Sequence, residues 1–398
     1  KSASLALSAG DIGGTLAVVV TATNAAGSTS VTTPVTGLVA GILPVNSVLP
    51  TITGLLQDGQ LLTVGTGSWS GSEPISFSYQ WQLCNALGEA CADISKATSS
   101  TLPLGALDIG KTLDVVVTAT NAAGATSVTT PVTGLIGALL PSNTALPSVA
   151  GSLVDGSLLS AATGSWSGSE PISYGYQWEL CNATGGSCNE ISGATGSTLK
   201  LLTGFIGSTV RVVVTATNAA GSTSSTSSAT GLIGALLPSN AALPSITGLL
   251  QDGQVLSVGT GSWNGSEPIS YSYQWQLCNG LGLGCLDIPG AKGPSLPLTP
   301  ADIGGTLDVV VTATNAAGAT SVTTPVTGLI AGILPSNTAL PSIAGSLVDG
   351  SLLSAATGSW SGSEPISYGY QWELCNATGG SCNEISGATG STLKLLTG

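Results

Sequence analysis

The residues with the most distinctive chemistry are eight cysteines, arranged as four Cys-x6-Cys pairs. An even number of regularly spaced cysteines favours disulfide bonds and an oxidising compartment. A zinc site would need a second cysteine or histidine pair for each of these pairs, and the sequence has none. We therefore predict four short disulfide loops: Cys84 with Cys91, Cys181 with Cys188, Cys278 with Cys285, and Cys375 with Cys382.

Catalytic residue types are scarce in this sequence. The chain has 20 acidic and 7 basic residues and no histidine, which removes Ser-His-Asp and Cys-His chemistry. No carboxylate pair recurs at a spacing suited to glycoside hydrolysis, and no phosphate-binding glycine loop occurs. A glutamate recurs in Gly-Ser-Glu-Pro, but one carboxylate supplies too few oxygens for calcium, so we interpret it as a solvated turn residue. We predict no catalytic residue, no metal, no cofactor and hence no enzyme.

Charge and composition limit the partners. A net charge of −13 with scattered basic residues argues against nucleic acid, and no apolar run reaches the ~18 residues of a membrane span. Charged residues are only 7% of the chain, so its faces are too apolar for isolated solvated domains. We expect copies of the chain, end to end and side by side, or a glycan coat. Three asparagines fit the N-glycosylation sequon, which also occurs by chance: Asn182, Asn264 and Asn376.

The chain repeats itself every 97 residues. Trp69, Trp166, Trp263 and Trp360 keep this spacing, and a period of this length matches one small domain rather than a solenoid turn of roughly 20–50 residues. Residues 141–204 recur almost unchanged as 335–398, so two domain types alternate. We predict a partial domain at 1–39, full repeats at 40–136, 137–233 and 234–330, and a partial repeat at 331–398.

Hydrophobic periodicity within one repeat predicts strands. In Ser76–Cys84, Phe77, Tyr79, Trp81 and Leu83 alternate with polar residues, as expected for a strand with one buried face. Thr112–Asn121 alternates in the same way through Val117, and no window has a helical period. About seven short strands in each repeat predict an all-β sandwich of two sheets. We predict that its core contains Val117 and four equivalent tryptophans: Trp81, Trp178, Trp275 and Trp372.

These motifs resemble the immunoglobulin-like fold. Tyr79-Gln80-Trp81 is followed by Asp108-Ile109-Gly110 and then by the sequence VTATNAAG at Val117–Gly124. In that family a core tryptophan lies on strand C and D-x-G precedes strand F. The likeness covers essentially the whole chain and is greatest to tandem immunoglobulin-like repeats of bacterial surface and secreted proteins. The family's inter-sheet disulfide is missing, and apolar residues near Leu62 and Val117 take its place.

The two ends of the sequence have the character of complementary half-domains. Residues 1–39 correspond to the last strands of a sandwich, and 331–398 correspond to a sandwich without its last strands. One interpretation is that the sequence is a window of a longer polypeptide. The other is head-to-tail completion, in which the first strands of one chain fill the gap in the next.

The repeat architecture predicts a structural role. The first hypothesis is an extracellular filament, sheath or surface-layer fibre of a bacterium, made of immunoglobulin-like domains in series. The alternative is the spacer stalk of a bacterial adhesin, which holds a binding tip away from the cell surface.

Overall fold

The computed structural model describes residues 3–396, and the regular elements there are β-strands and short 3-10 helices. This confirms the predicted all-β class. The chain divides into two compact units. The first comprises Lys1–Ser152, Leu158–Leu199 and Ser208–Gly231, and the second comprises Leu153–Ser157, Lys200–Gly207 and Leu232–Gly398.

The first unit begins with a 3-10 helix (Ala9–Asp11) and an antiparallel hairpin of β1 (Val19–Asn24) and β2 (Gly27–Thr32). The first full repeat follows, with a 3-10 helix at Ala106–Asp108. Its strands are β3 (Val45–Val48), β4 (Ile52–Thr53), β5 (Leu61–Val64), β6 (Ser68–Ser70), β7 (Ser76–Cys84), β8 (Ala92–Asp93), β9 (Thr101–Pro103), β10 (Thr112–Asn121) and β11 (Gly124–Thr129).

These strands form the two layers of an immunoglobulin-like sandwich. One sheet has the order β4-β5-β9 and the other β11-β10-β7-β8, while β3 and β6 pair separately. β7 and β10 are antiparallel, with Trp81 opposite Val115 and Tyr79 opposite Val117. The nine strands exceed the predicted seven, because segments of two or three residues, such as β8 and β6, are too short to show a period.

The core of the first full repeat lies between these two sheets. Trp81, Val117 and Leu62 are fully buried there. The indole Nε1 of Trp81 donates to the Ser99 carbonyl oxygen at 2.9 Å, so its burial leaves no indole N–H unpaired. Leu62 on β5 and Val117 on β10 belong to one apolar cluster that includes residues of both layers, and the burial of this cluster stabilises the sandwich.

The second full repeat has the same strand order. Its sheets are β13-β14-β18, β17-β16-β19-β20 and the pair β12-β15, and a 3-10 helix spans Thr203–Phe205. Its strands are β12 (Ser142–Ala145), β13 (Ser148–Ala150), β14 (Leu158–Ala162), β15 (Ser165–Ser167), β16 (Ser173–Cys181), β17 (Asn189–Glu190), β18 (Thr198–Lys200), β19 (Thr209–Asn218) and β20 (Gly221–Thr226).

The second unit contains the third full repeat, whose core surrounds the fully buried Trp275. A 3-10 helix spans Pro300–Asp302. The strands are β21 (Ser239–Ala242), β22 (Ile246–Thr247), β23 (Val255–Val258), β24 (Ser262–Asn264), β25 (Ser270–Cys278), β26 (Leu286–Asp287), β27 (Ser295–Pro297), β28 (Thr306–Asn315) and β29 (Gly318–Thr323).

The last strands of the second unit include a shortened counterpart of β16, the long strand that pairs with β19 in the second repeat. The counterpart of β16 shortens there to two residues, Glu373–Leu374, and among the described residues no strand takes the place that β19 has beside β16. The strands are β30 (Ser336–Ala339), β31 (Ser342–Gly345), β32 (Leu352–Ala356), β33 (Ser359–Ser361), β34 (Glu373–Leu374), β35 (Asn383–Glu384) and β36 (Thr392–Lys394).

Candidate functional site

A network of polar groups in the first unit lies where the first full repeat meets the second. Asp58 lies in the turn between β4 and β5, which Gly59 closes with a φ of +80°. The Asp58 amide donates to the Gly137 carbonyl at 3.0 Å, and the Gly137 amide donates to the Leu56 carbonyl at 2.9 Å. The backbone that leaves the first repeat is therefore attached to that repeat's own turn.

The side chain of Asp58 also reaches the following repeat. Ser169, which is only 1% exposed, donates its hydroxyl to Asp58 Oδ2 at 2.6 Å. The same hydroxyl accepts from the Leu139 amide at 2.7 Å. Asn218 Nδ2 donates to the carbonyls of Leu139 and Ser169 at 2.7 and 2.8 Å. One buried serine thus joins an acidic turn, the connecting backbone and the next sandwich.

The same arrangement recurs in the second unit. Ser266, which is 2% exposed, donates to Asp155 Oδ2 at 2.6 Å and accepts from the Leu236 amide at 2.7 Å. Thr203 Oγ1 gives Asp155 a further hydrogen bond of 3.0 Å, and Asn315 donates to the Leu236 carbonyl at 2.7 Å. We call the two sites the junctions. Hydrogen bonds to a carboxylate are stronger than neutral ones, so each junction restrains the connecting backbone.

The junctions could not be recognised from the sequence. The partners Asp58 and Ser169 are 111 residues apart, and no local pattern connects them. A signal was nevertheless present, because the serine of the recurrent Gly-Ser-Glu-Pro motif immediately precedes the glutamate that attracted attention. That glutamate caps a turn: Glu73 Oε2 accepts from the Ile75 amide at 3.0 Å, on the exposed surface.

All four cysteine pairs form disulfide bonds, and the chain has no free cysteine. In the full repeats each bond closes the loop that follows the long strand, so Cys84 ends β7 and Cys91 precedes β8. This staple is separate from the apolar cluster between the sheets. The remaining disulfides join Cys181 to Cys188, Cys278 to Cys285 and Cys375 to Cys382.

A buried carboxylate lies beside two of these disulfides. Asp114 is 6% exposed, and its Oδ1 has no hydrogen-bond partner. Burial raises the pKa of Asp114, and the nearby Asp93 carboxylate raises it further. Asp308 is the equivalent in the third repeat, where burial also raises the pKa. In the second repeat the equivalent residue is Arg211, which forms an ion pair with Glu179.

These groups do not amount to a metal centre in the oxidised protein. Atoms of Cys84, Cys91 and Asp114 lie within 4.8 Å of one another, but the two sulfurs are bonded to each other and are not thiolate ligands. One carboxylate then remains, which is too few donors for a structural zinc or calcium site.

The tryptophans predicted to form the core are buried, whereas the asparagines of the predicted glycosylation sites are exposed. Trp81, Trp178 and Trp275 are fully buried, and Trp372 is 7% exposed. Two sequon asparagines lie at the start of the disulfide loops: Asn182 Oδ1 accepts from Thr184 Oγ1 at 2.8 Å, and Asn376 is held in the same way by Thr378. The third, Asn264, ends β24 and is exposed.

Comparison with known proteins adds likeness of architecture only. No protein-family model matches the chain, and no curated protein matches it. Solved structures of tandem-domain proteins do match: three titin domains (13% identity, 74% of this chain and 100% of that chain, TM-score 0.25) and three N-terminal domains of the bacteriophage RB49 Highly Immunogenic Outer Capsid protein (14%, 72% and 99%, 0.22). Domains FN1–FN3 of chicken CNTN1 also match (17%, 73% and 99%, 0.21). TM-scores this low support no conclusion about function or fold. The assignment of the sandwich rests on the strands of this chain and their pairing.

Proposed function

We propose that the chain is a structural protein, an extracellular filament, sheath or surface-layer fibre of a bacterium, in which immunoglobulin-like domains follow one another in series. The observation that carries the proposal is the junction. The same serine-to-aspartate hydrogen bond, 2.6 Å long, recurs 97 residues later in the second unit. A connection restrained in this way suits a protein that holds successive domains in place.

The exposed aliphatic residues support lateral contact between chains. The first residue of β5 is apolar and largely exposed in every repeat that has this strand, as in Leu61 (56%) and Val255 (57%). The equivalents Leu158 and Leu352 are 61% and 59% exposed. Apolar side chains at the same place in successive domains favour packing against another copy or cover by glycan. The four disulfides fit an oxidising, extracellular location.

Within residues 3–396, no helix combines the length and the apolar character that crossing a bilayer requires.

The test is assembly as a function of protein concentration. Sedimentation should show growth of the wild-type chain into large species, and lysines in place of Leu61, Leu158 and Val255 should suppress it. A matched control replaces Thr63, on the same exposed face of β5, with lysine. A wild-type chain that stays monomeric at millimolar concentration would contradict the filament proposal.

The alternative is the spacer stalk of an adhesin. It rests on the same restrained junctions, because a stalk also needs fixed domains. It predicts no lateral growth and no glycan binding by the repeats themselves, since the aromatic side chains of the first and third repeats lie on strands rather than on exposed loops. A chain that stays monomeric at high concentration would favour this role over the filament.

A further inference from the structure

The disulfides of the full repeats have two different electrostatic surroundings. In the first and third repeats an aspartate lies beside the bond, with its carboxylate and both sulfurs within 4.8 Å of one another: Asp114 with Cys84 and Cys91, and Asp308 with Cys278 and Cys285. Asp114 and Asp308 are 6% and 7% exposed, and each has a buried Oδ1 without a hydrogen-bond partner. No neighbouring donor therefore neutralises the charge of this oxygen.

The second repeat has a cation at the corresponding position. β19 and β16 pair there as β10 and β7 do in the first repeat, and Arg211 is opposite Glu179 just as Asp114 is opposite Gln82. Arg211 and Glu179 form an ion pair, so the charge of the side chain at this position is balanced by its partner. Solvent access does not distinguish the repeats, because one cysteine of each pair is 2–3% exposed and the other is half-buried.

We propose that Asp114 and Asp308 protect the disulfides of the first and third repeats from thiols, so that Cys181–Cys188 is the site in the full repeats where thiol–disulfide exchange takes place. The substrate class is a low-molecular-weight thiol. The alternation of domain types in the sequence then corresponds to an alternation of redox behaviour.

The rate of thiol–disulfide exchange depends on the negative charge of the attacking and leaving sulfur atoms. A thiolate attacks the half-buried sulfur of a pair, a mixed disulfide forms, and the S–S bond breaks with its electron pair on the other cysteine, which leaves as a thiolate. A second thiolate then attacks the small-thiol sulfur of the mixed disulfide, and the bond from that sulfur to the protein cysteine breaks. The products are an oxidised small disulfide and a second cysteine thiolate, so both cysteines of the pair are reduced. Negative charge within 4.8 Å opposes both the approach of the thiolate and the departure of the leaving thiolate. The charges of Arg211 and Glu179 cancel in their ion pair, so this pair opposes neither the attack nor the departure of a thiolate.

Trypsin separates the four disulfides for a direct test. Cleavage after the lysines and the arginine places each cysteine pair on a different peptide: 2–96, 112–200, 212–292 and 293–394. The folded chain is treated with dithiothreitol for timed intervals and alkylated. It is then unfolded, fully reduced and alkylated with a heavy isotope of the same reagent. The light-to-heavy ratio gives the rate for each bond, and the exposed pair Cys375 and Cys382 is the reference for an uncovered bond.

We expect Cys84–Cys91 and Cys278–Cys285 to react at least about tenfold more slowly than Cys181–Cys188. Asp114→Asn should raise the rate of the first bond alone, and Asp308→Asn that of the third alone. In 6 M guanidinium the rates should converge, since the carboxylates are then solvated. Equal rates in the folded chain, no response to either asparagine, or a difference that persists in guanidinium would each overturn the proposal. The Cys84–Cys91 loop contains Glu89, whereas the Cys278–Cys285 loop contains no glutamate. Slow reaction of both disulfides would therefore show that Glu89 is not the cause.

Discussion

Replacing Ser169 with alanine should loosen the junction of the first unit without disturbing the sandwiches on either side. The change removes a hydroxyl that donates to Asp58 at 2.6 Å and accepts from the Leu139 amide at 2.7 Å. A hydrogen bond to a charged group contributes about 1.5–3 kcal/mol, and an unpaired amide costs about 1–3 kcal/mol more. Asp58 is half-buried, so water replaces part of what it loses. We therefore expect about 2 kcal/mol, or roughly a 30-fold increase in local opening.

Hydrogen exchange measures that opening directly, because protection of an amide reports the free energy of the local event that exposes it. The Leu139 amide should exchange roughly 30-fold faster in Ser169→Ala, while amides of β10 and β19 keep their protection. The peptide that reports on Leu139 must extend to Thr144, because residues 133–143 are identical to residues 230–240 and the first difference is Thr144 against Ala241. The matched control is Ser167→Ala, whose exposed hydroxyl contacts the Ser142 carbonyl at 3.4 Å. Unchanged exchange at Leu139, or equal effects of both variants, would refute the claim that the buried serine restrains the junction.

Three further results follow from the structure. Trp81→Ala should destabilise the first full repeat by about 3–5 kcal/mol, seen as loss of amide protection in that repeat; a loss below about 1 kcal/mol would show that the ring is not structural. Burial and Asp93 raise the pKa of Asp114 above 3.8 in the folded chain. The contribution of this raised pKa to folding stability is therefore fully present below pH 3.8, and it is lost as the pH rises through the pKa of the folded state, where the buried carboxylate becomes charged. Asp114→Asn should therefore stabilise the repeat against urea at pH 7 and lose this advantage near pH 3.5; an advantage that is equal at both pH values would contradict the role of charge. Gly164→Ala should destabilise the second repeat by more than ~1 kcal/mol, because φ is +76° and the new Cβ would collide with the Ala145 carbonyl, whereas unaltered thermal stability would contradict that geometry.

The strands and the fold class could be predicted because their signals are local and repeated. The alternation in Ser76–Cys84 and Thr112–Asn121 agrees with the bounds of β7 and β10. The shortest strands, such as β8, could not be predicted because two residues show no period. Their existence depends on the neighbouring strand, as the shortening of the β16 counterpart to Glu373–Leu374 illustrates.

The candidate sites were harder to predict because tertiary structure creates them. Alternation places Asp114 on the outer face of its strand, where exposure is expected, yet the residue is buried beside the disulfide. Asp58 and Ser169 are each ordinary turn residues in the sequence, and the hydrogen bond between them exists only when two successive domains come together. Spacing in the sequence identified the cysteine pairs, but it contained no information about which charges surround them.

Electron microscopy of the native assembly shows whether the chains form a fibre. The proposed structural role predicts filaments or sheets in which small β-sandwich domains follow one another in series and neighbouring copies lie side by side. Native material that consists only of isolated, unglycosylated monomers would contradict it.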